Sequence, residues 1–334
     1  MVPEQVDGLS ATSVGDDTIV FQYTGAGTTP IGEGTVLVSG EGDGYLRQVV
    51  GINQVGDTIT VTTEPAALTD IFEQADISIG TEFTADDFME AGVPLQKADN
   101  AFVSMNGVRV FGNASLGVDY DGGVSFSPSV DLDLRIRNSA VEYLTFNASG
   151  QLYLDFDVVL TSSQAVGVSY ERSLFELLGT RKPTKVVIPP QAPFLWFVIE
   201  LDLLAGGQVS GAAAASFTSG FDSMTTIQMG AEYANAAWPN LSAICLASNL
   251  HTPVWSTSGA FDGRFFLKPK ITAKLYALTG PSIAAKPYAG FRVQPLPAPL
   301  RASLGVGIDV DLGFNLVDLS TFGVNFALGY NHSF

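Results

Sequence analysis

A strict alternation between apolar and small polar side chains runs through this 334-residue chain and is clearest in its last 35 residues. The apolar positions of the clearest run are Leu304, Val306, Ile308, Val310, Leu312, Phe314 and Leu316. A period of two residues is typical of a β-strand that is buried on one face. The run is longer than an ordinary strand of about 5–6 residues, so it predicts a protein built from long β-strands.

Composition favours an all-β fold of substantial size. The chain is 46% hydrophobic, which is enough to form a core without metals or cross-links, and its single cysteine, Cys245, excludes an intramolecular disulfide. The 35 glycines and 17 prolines fall between short alternating runs, and few helical patterns are long enough for crossovers. We expect a mainly all-β protein: a large antiparallel β-sandwich or wrapped sheet of long amphipathic strands, with a small mixed α+β module at its N-terminus.

Residues 1–92 are predicted to form that small acidic module. Its predicted strands are 18–23, 35–38, 45–52 and 58–63. A helix is expected to begin at Pro65, because apolar residues follow helical spacing at Leu68, Ile71, Phe72 and Ala75. A second short helix is expected from Thr84 as N-cap to Gly92, with Asp87 completing the capping pattern.

Residues 93–334 are predicted to form one large antiparallel β-domain. Three strands, 124–136, 141–146 and 152–158, are expected to be joined by short turns, the second turn at 147–150, with a bulge or edge position at Pro128. A Pro-rich stretch near 179–193 interrupts the pattern and is expected to be a loop, a sheet-to-sheet crossing or a hinge. The small residues of 206–216 predict close approach of another sheet or chain.

Charge excludes one class of partner. The net charge is −18, whereas a nucleic-acid backbone requires a concentrated basic surface, so neither DNA nor RNA is an expected partner. Residues 1–100 hold 17 acidic residues against only Arg47 and Lys97. No run of 18 uncharged apolar residues occurs, so a membrane-spanning helix is excluded.

Pairs of aspartates two residues apart recur in the predicted strands. Two such pairs, Asp131 with Asp133 and Asp155 with Asp157, are candidate Ca²⁺ ligands, because residues two apart share a face of a strand and Ca²⁺ prefers oxygen ligands. The alternative is that these residues form only the polar face of amphipathic strands. Arg135 and Arg137 could then pair with Asp155 and Asp157 across strands. No other cofactor is expected.

The sequence supplies little for catalysis. His251 and His332 are its only histidines, they lie in unrelated contexts, and Cys245 lies in an apolar run. No zinc-ligand spacing, phosphate loop or dinucleotide-binding fingerprint occurs. Paired carboxylates on a flat sheet have no evident burial to raise a pKa for acid catalysis. We therefore expect a protein that is not an enzyme.

A carbohydrate-binding function is one alternative. Residues 263–307 carry seven basic residues and no acidic one, a composition that suits an anionic glycan and would equally suit docking of the acidic N-terminal module or simple solvation. The candidate glycan-binding residues are Trp238, Trp255, Lys268 and Lys270.

The C-terminal strand is the candidate for self-assembly. Its alternating apolar residues are Phe322, Val324, Phe326, Leu328 and Tyr330, followed by the final Phe334. This pattern resembles the C-terminal strand signal of bacterial outer-membrane β-barrels, although His332 stands where that signal has an apolar residue. The resemblance implies a membrane β-barrel as a second alternative. A soluble sandwich explains the same alternation, and the acidic N-terminal module and the Pro-rich interruption argue against membrane insertion.

These observations together predict a non-catalytic structural or adhesive β-protein, extracellular or at the cell surface. Its expected partner is another copy of itself, in an oligomer or polymer formed through an exposed strand, or a surface glycan. The segment after Met1, Val2-Pro3-Glu4-Gln5, is typical of a mature start, which predicts that a leader peptide has been removed.

Overall fold

The protein is almost entirely β-structure, as the sequence predicts. The computed structural model describes residues 1–25, 29–39, 44–95, 102–190, 192–211, 214–234, 243–257, 259–275, 282–294 and 301–313. Within these residues the strands form three antiparallel sheets, here called sheets A, B and C in chain order.

Sheet A contains the first five strands, in the spatial order β1-β2-β5-β4-β3. They are β1 (Leu9–Val14), β2 (Thr18–Tyr23), β3 (Val36–Ser39), β4 (Tyr45–Val55) and β5 (Thr58–Pro65). The four strands predicted at the N-terminus are therefore confirmed, with shifts only at their ends. Alternate residues such as Ile19, Phe21, Ile59 and Val61 are fully buried and form a separate small core, as the period of two requires.

The segment after sheet A departs from the prediction. The helix expected from Pro65 is wrong: a single 3₁₀ turn, Leu68–Asp70, precedes strand β6 (Gln74–Glu82), which pairs with the large region. The second helix is confirmed as α1 (Ala85–Glu90), where the Asp87 carboxylate accepts hydrogen bonds from the backbone N–H and the hydroxyl of Thr84. The division of the chain at residue 92 stays a prediction, although β6 and α1 contribute to the core of the large region.

Sheet B is built around one strand of 23 residues, β10. Its members are β6, β7 (Phe102–Gly112), β8 (Leu116–Phe126), β9 (Ser129–Arg137), β10 (Ala140–Ser162), β14 (Ala215–Ala234), β15 (Ala243–Leu250) and β16 (Val254–Thr257). On one side β10 pairs with β9 and then β8, which lie in line, and on the other side it pairs with β14 over 20 residues.

The interruption at Pro128 is confirmed, and the turn predicted at 147–150 is wrong. β8 ends at Phe126 and β9 begins at Ser129, so the strand is interrupted at Pro128. After this interruption the chain continues in the same direction along β10. β10 runs through residues 147–150 without a turn, because β14 pairs with all four of them and β9 pairs with residues 147–149 on the other edge. Gly150 faces the break, where a Cβ atom would lie only 3.0 Å from the carbonyl oxygen of Ser127.

Sheet C lies across sheet B. Its strands are β11 (Val166–Ser173), β12 (Thr184–Val187), β13 (Phe197–Gly211), β17 (Phe261–Leu275), β18 (Ser282–Gln294) and β19 (Arg301–Gly313). The short helix α2 (Leu174–Leu177) follows β11. The Pro-rich stretch near 179–193 is not the crossing between sheets: it contains the edge strand β12, and the chain passes from sheet B to sheet C earlier, between β10 and β11.

The main core lies between sheets B and C. Phe217 of sheet B stacks on Phe291 of sheet C, with ring centroids 3.8 Å apart. The buried hydroxyl of Tyr120, on β8, donates a hydrogen bond of 2.7 Å to the carbonyl oxygen of Gly206, on β13. The close approach of another sheet that the small residues of 206–216 predict is found at Gly206, which Tyr120 of sheet B contacts. A Cβ atom at Gly206 would also overlap the ring of Phe266 on the neighbouring strand of sheet C.

Candidate functional site

Four polar residues on the outer face of sheet B converge from two strands and one strand break. They are Asp155 and Asp157 of β10, Asp222 of β14, and His251, which follows β15; we call them the Asp–His cluster. Strand alternation explains why the aspartates face outward, because Phe156 and Phe221 point into the core with 0% and 1% exposure. The register places Asp155 directly opposite Asp222, and Asp157 opposite Gly220.

A break between β15 and β16 positions His251. Leu250 pairs with Phe221, and pairing resumes at Val254 with Thr218, so His251-Thr252-Pro253 spans a gap of only two residues on β14. Pro253 has no N–H to continue the ladder. The backbone N–H of His251 still donates to the carbonyl oxygen of Gly220 at 2.9 Å, and its own carbonyl oxygen accepts from the Ser219 hydroxyl at 3.2 Å.

Glycine at position 220 leaves room for the backbone of β10 and for the Asp157 carboxylate beside β14. A Cβ atom there would overlap the carbonyl oxygen of Phe156 and lie 2.7 Å from the Cα atom of Asp157. With that space open, Nδ1 of His251 lies 2.8 Å from Oδ1 of Asp157, and Nε2 lies 2.9 Å from Oδ1 of Asp222. The ring thus bridges carboxylates of two neighbouring strands.

The electrostatics of the cluster shift two pKa values upward. Burial alone would lower the pKa of His251, but hydrogen bonds and attraction to Asp157 and Asp222 outweigh it, and the pKa is raised above 6.5. The pKa of Asp155 is raised by partial burial and by the negative charge of Asp222. The side chain of His251 is 28% exposed, and those of Asp157 and Asp222 are 43% and 42% exposed, so the cluster is open to solvent.

The cluster offers a set of metal-ligating atoms. One carboxylate oxygen each from Asp155 and Asp222 and one imidazole nitrogen of His251 all lie within 4.8 Å of one another. Chemically, the arrangement can hold a proton between an imidazole and two carboxylates, or a cation among them. Among the residues that the structure describes, Asp155, Asp222 and His251 are the one set of His, Cys, Asp or Glu side chains close enough together to bind a metal ion.

The four predicted calcium ligands are not brought together. Asp131 and Asp133 lie on β9 opposite Asn147 and Thr145, and the Thr145 hydroxyl donates to Asp133 at 3.4 Å. Asn147 precedes Asp155 by eight residues along β10, which at about 3.3 Å per residue is about 26 Å. The two pairs therefore belong to opposite ends of the sheet.

The expected ion pairs from Arg135 and Arg137 to Asp155 and Asp157 are wrong. Both arginines lie on β9 and pair with Asp76 of β6, with an Arg137 Nη2 to Asp76 Oδ1 distance of 2.8 Å. These arginines hold the pKa of Asp76 below its ordinary value of 3.8, chiefly through the hydrogen bond from Arg137. The register of β9 against β6 brings them together.

The predicted glycan-binding residues do not form one surface within the described residues. Trp255 lies on β16 of sheet B, opposite Phe217, and packs partly buried against the main core. Lys268 and Lys270 lie on β17 of sheet C, where Lys268 pairs with Glu171 at 2.8 Å. Trp238 lies outside the described residues. Glycan binding stays a prediction.

The basic residues of 263–307 that the structure describes interact within sheet C rather than with sheet A. Lys274 pairs with Glu200 at 3.1 Å, and Arg292 with Asp262 at 2.6 Å. The guanidinium of Arg264 lies 3.3 Å from the ring centroid of Tyr288. These contacts join adjacent strands of sheet C. Docking on the N-terminal module is not observed for these basic residues.

The assembly strand falls outside the described residues, as do all of its named positions, Phe322, Val324, Phe326, Leu328, Tyr330 and Phe334. The alternating run that precedes it is confirmed as strand β19 as far as Gly313.

Sequence reasoning identified Asp155 and Asp157 but not their partners. Asp222 lies in an alternating strand like many others, and His251 gives one local signal only, its position just before Thr252-Pro253, which ends a strand. The described part of the chain contains no helix long and apolar enough to cross a membrane. No protein-family model, curated protein or solved structure matches this chain.

Proposed function

We propose that this chain is a non-catalytic structural or adhesive β-protein, extracellular or at the cell surface, that associates with copies of itself through an exposed strand. The observation that supports this most is the continuous pairing of β10 and β14 over 20 residues, which makes sheet B a long, broad surface. Extended sheets with free edges bind other chains by adding strands or by presenting a face.

The outer faces of the sheets carry cross-strand ion pairs. Arg109 pairs with Asp119 between β7 and β8, and Arg137 pairs with Asp76 between β9 and β6. Such pairs on neighbouring strands stabilise a sheet and keep its face polar. This use of charge suits a structural surface better than a catalytic centre, where titratable groups gather in a cleft.

The described cavities also favour a surface-binding role. The space between Phe156, Phe217 and Phe265 in the main core has a volume of about 10 Å³, at the lower limit for holding one water molecule. A larger depression of about 380 Å³ lies open at the ends of the sheet C strands, beside Val166, Phe261 and Val293.

Self-association is tested by charging one face of the C-terminal strand. Val324→Lys with Phe326→Lys places charge on the face that the alternation predicts to be apolar, and Asn325→Lys is the matched control on the other face. We expect the full-length protein and the control to form oligomers in light scattering after size-exclusion chromatography without detergent. The double variant should elute as a monomer with an unchanged circular dichroism spectrum.

Two results would contradict the proposal. One is a monomeric full-length protein at every concentration tested. The other is an oligomer that the double variant leaves intact.

A further inference from the structure

We propose that the Asp–His cluster is a binding site for a divalent first-row transition metal ion, Zn²⁺ in the first instance. The ligands are one carboxylate oxygen each from Asp155 and Asp222 and one imidazole nitrogen of His251, which lie within 4.8 Å of one another. We assign the nitrogen as Nε2, which lies 2.9 Å from Asp222 Oδ1. This site goes beyond the proposed structural function and does not depend on it.

The donor set selects the class of metal. Zn²⁺ accepts imidazole nitrogen and carboxylate oxygen at about 2.0–2.2 Å, and sites with three protein ligands keep a position for water. Ca²⁺ instead takes six to eight oxygen ligands and has no preference for imidazole. One nitrogen and two carboxylates at a solvent-open position therefore suit Zn²⁺ and not the Ca²⁺ that the aspartate pairs alone suggested.

The orientation of His251 is the one a metal ligand needs. Asp157 lies 2.8 Å from Nδ1, so it holds the proton on that nitrogen and turns Nε2 toward Asp222. Metal-ligating histidines commonly donate their second N–H to a carboxylate, which fixes the tautomer and raises the basicity of the ligating nitrogen. Nε2 lies 2.9 Å from the Asp222 carboxylate, and the place between these two atoms can be taken by a proton or by a metal ion.

Charge balance supports the same conclusion. Asp155 and Asp222 are direct cross-strand partners, a placement in which like charges destabilise a sheet. Elsewhere in sheet B the arginines are matched to other carboxylates, Arg109 to Asp119 and Arg137 to Asp76. Within the residues the structure describes, no lysine or arginine forms an ion pair with Asp155, Asp157 or Asp222, and His251 is the basic group that contacts Asp157 and Asp222. A divalent cation would add positive charge beside Asp155, for which the described residues show no basic partner.

Gly220 helps to position the side chains of the site. Because position 220 has no side chain, β14 lies close to β10 and the Asp157 carboxylate keeps the place from which it meets His251. The hydrogen bond from the backbone N–H of His251 to the carbonyl oxygen of Gly220 fixes the backbone from which the His251 side chain extends. The ligand atoms thus come from paired strands and an anchored break, which position them before any ion arrives.

The test uses the tag-free, full-length protein after removal of metals with a chelator. Zn²⁺ binding is measured by isothermal titration calorimetry near pH 7 for the wild type, Asp155→Asn, Asp157→Asn and Asp133→Asn. Asp155→Asn removes a proposed ligand without touching the hydrogen bonds of His251, and it relieves a like-charge contact, so it should fold. Asp133→Asn is the matched control, an aspartate at the far end of the same sheet.

Imidazole ¹⁵N NMR provides a second readout that identifies the ligand. The chain has only two histidines, so a His332→Gln background leaves the His251 resonances alone. We expect one Zn²⁺ per chain, a large shift of Nε2 of His251 on titration, and no displacement by excess Ca²⁺. Affinity should fall by about tenfold or more in Asp155→Asn and by about 10–100-fold in Asp157→Asn, whose carboxylate orients the ligand, and stay unchanged in Asp133→Asn.

The proposal is overturned if Zn²⁺ does not bind saturably or leaves the His251 resonances unmoved. Equal affinity in Asp155→Asn and Asp133→Asn also overturns it, as does displacement by Ca²⁺. None of these outcomes bears on self-association, which is measured separately.

Discussion

At the scale of single residues, Asp202 is the buried charge that the fold must neutralise. It lies on β13 with 6% of its surface exposed, and it accepts a hydrogen bond of 2.6 Å from the Ser173 hydroxyl. Lys182 places its Nζ atom 2.8 Å from Asp202 and 3.7 Å from Glu200. An unpaired carboxylate at such a position would be costly, so Lys182 has a structural role.

Replacing Lys182 by methionine should therefore destabilise the protein. We expect a loss of about 1–3 kcal/mol in the free energy of unfolding, below the ~3–5 kcal/mol of a fully buried pair because the lysine side chain is 30% exposed. Urea denaturation at neutral pH measures it. The matched control is Arg292→Met, which breaks the exposed pair with Asp262 and should cost about 0–1 kcal/mol. Equal losses in the two variants would show that burial of Asp202 does not matter.

The Lys182–Asp202 pair also predicts how the stability of the protein changes at alkaline pH. Burial alone would lower the pKa of Lys182, but the hydrogen bond and attraction to Asp202 outweigh it and raise the pKa above 10.5. A raised pKa means that the folded state holds the proton more tightly than the unfolded state. The stability that Lys182 contributes is therefore fully present below about pH 10.4, its unfolded-state pKa, and is lost as the pH rises through the raised value.

At the scale of elements, Gly220 shows how a strand can require the absence of a side chain. In Gly220→Ala the new Cβ atom would meet backbone atoms of Phe156 and Asp157 on β10, which cannot move aside as a flexible side chain could. We expect a loss of about 1–3 kcal/mol, the usual cost of overpacking, measured by thermal or urea unfolding. Gly167→Ala on β11 is the control, because a Cβ atom there has nothing within 4 Å. A Gly220→Ala protein as stable as the Gly167→Ala protein would contradict this account.

The positions of the strands were predictable from the local sequence pattern. The points where they end depended on the neighbouring strands with which they pair. The strands of sheet A follow from alternation and turn residues. Residues 147–150 have the composition of a turn, yet β10 continues through them because β14 pairs with all four and β9 pairs with residues 147–149. The helix predicted from Pro65 failed for a related reason: Ala75, assigned to its apolar stripe, belongs to β6, which pairs with β9 over nine residues. Tertiary pairing outweighed the local pattern in both cases.

Half of the Asp–His cluster was visible in the sequence. Asp155 and Asp157 share a face because residues two apart always do in a strand. Their partners depend on the register of β10 against β14, and a shift of one residue would turn Asp222 inward. His251 joins them because the pairing with β14 is interrupted at residues 251–253, where the His251 N–H bonds to the Gly220 carbonyl oxygen. No local pattern carries that information.

At the scale of the whole molecule, sheets B and C are held together by aromatic packing and by a few directional bonds. Phe291 stacks on Phe217 across the two sheets and on Phe261 and Phe265 within sheet C. Apolar contacts supply most of the attraction but do not by themselves fix how one sheet sits on the other. A buried hydrogen bond between the sheets adds that directionality, because misplacement would leave polar atoms unpaired.

Tyr120 makes such a bond, and its removal tests this role. Tyr120→Phe keeps the ring against Phe156, 5.3 Å away between centroids, but removes the hydroxyl that donates to the Gly206 carbonyl oxygen. We expect a loss of about 1–2 kcal/mol in the free energy of unfolding, since a buried acceptor loses its donor without a change in packing volume. The matched control is Tyr143→Phe, on the outer face beside Arg135, which should change stability by less than about 0.5 kcal/mol. Equal stability of the two variants in urea, with equal dependence on denaturant, would mean that aromatic packing alone sets the alignment of the two sheets.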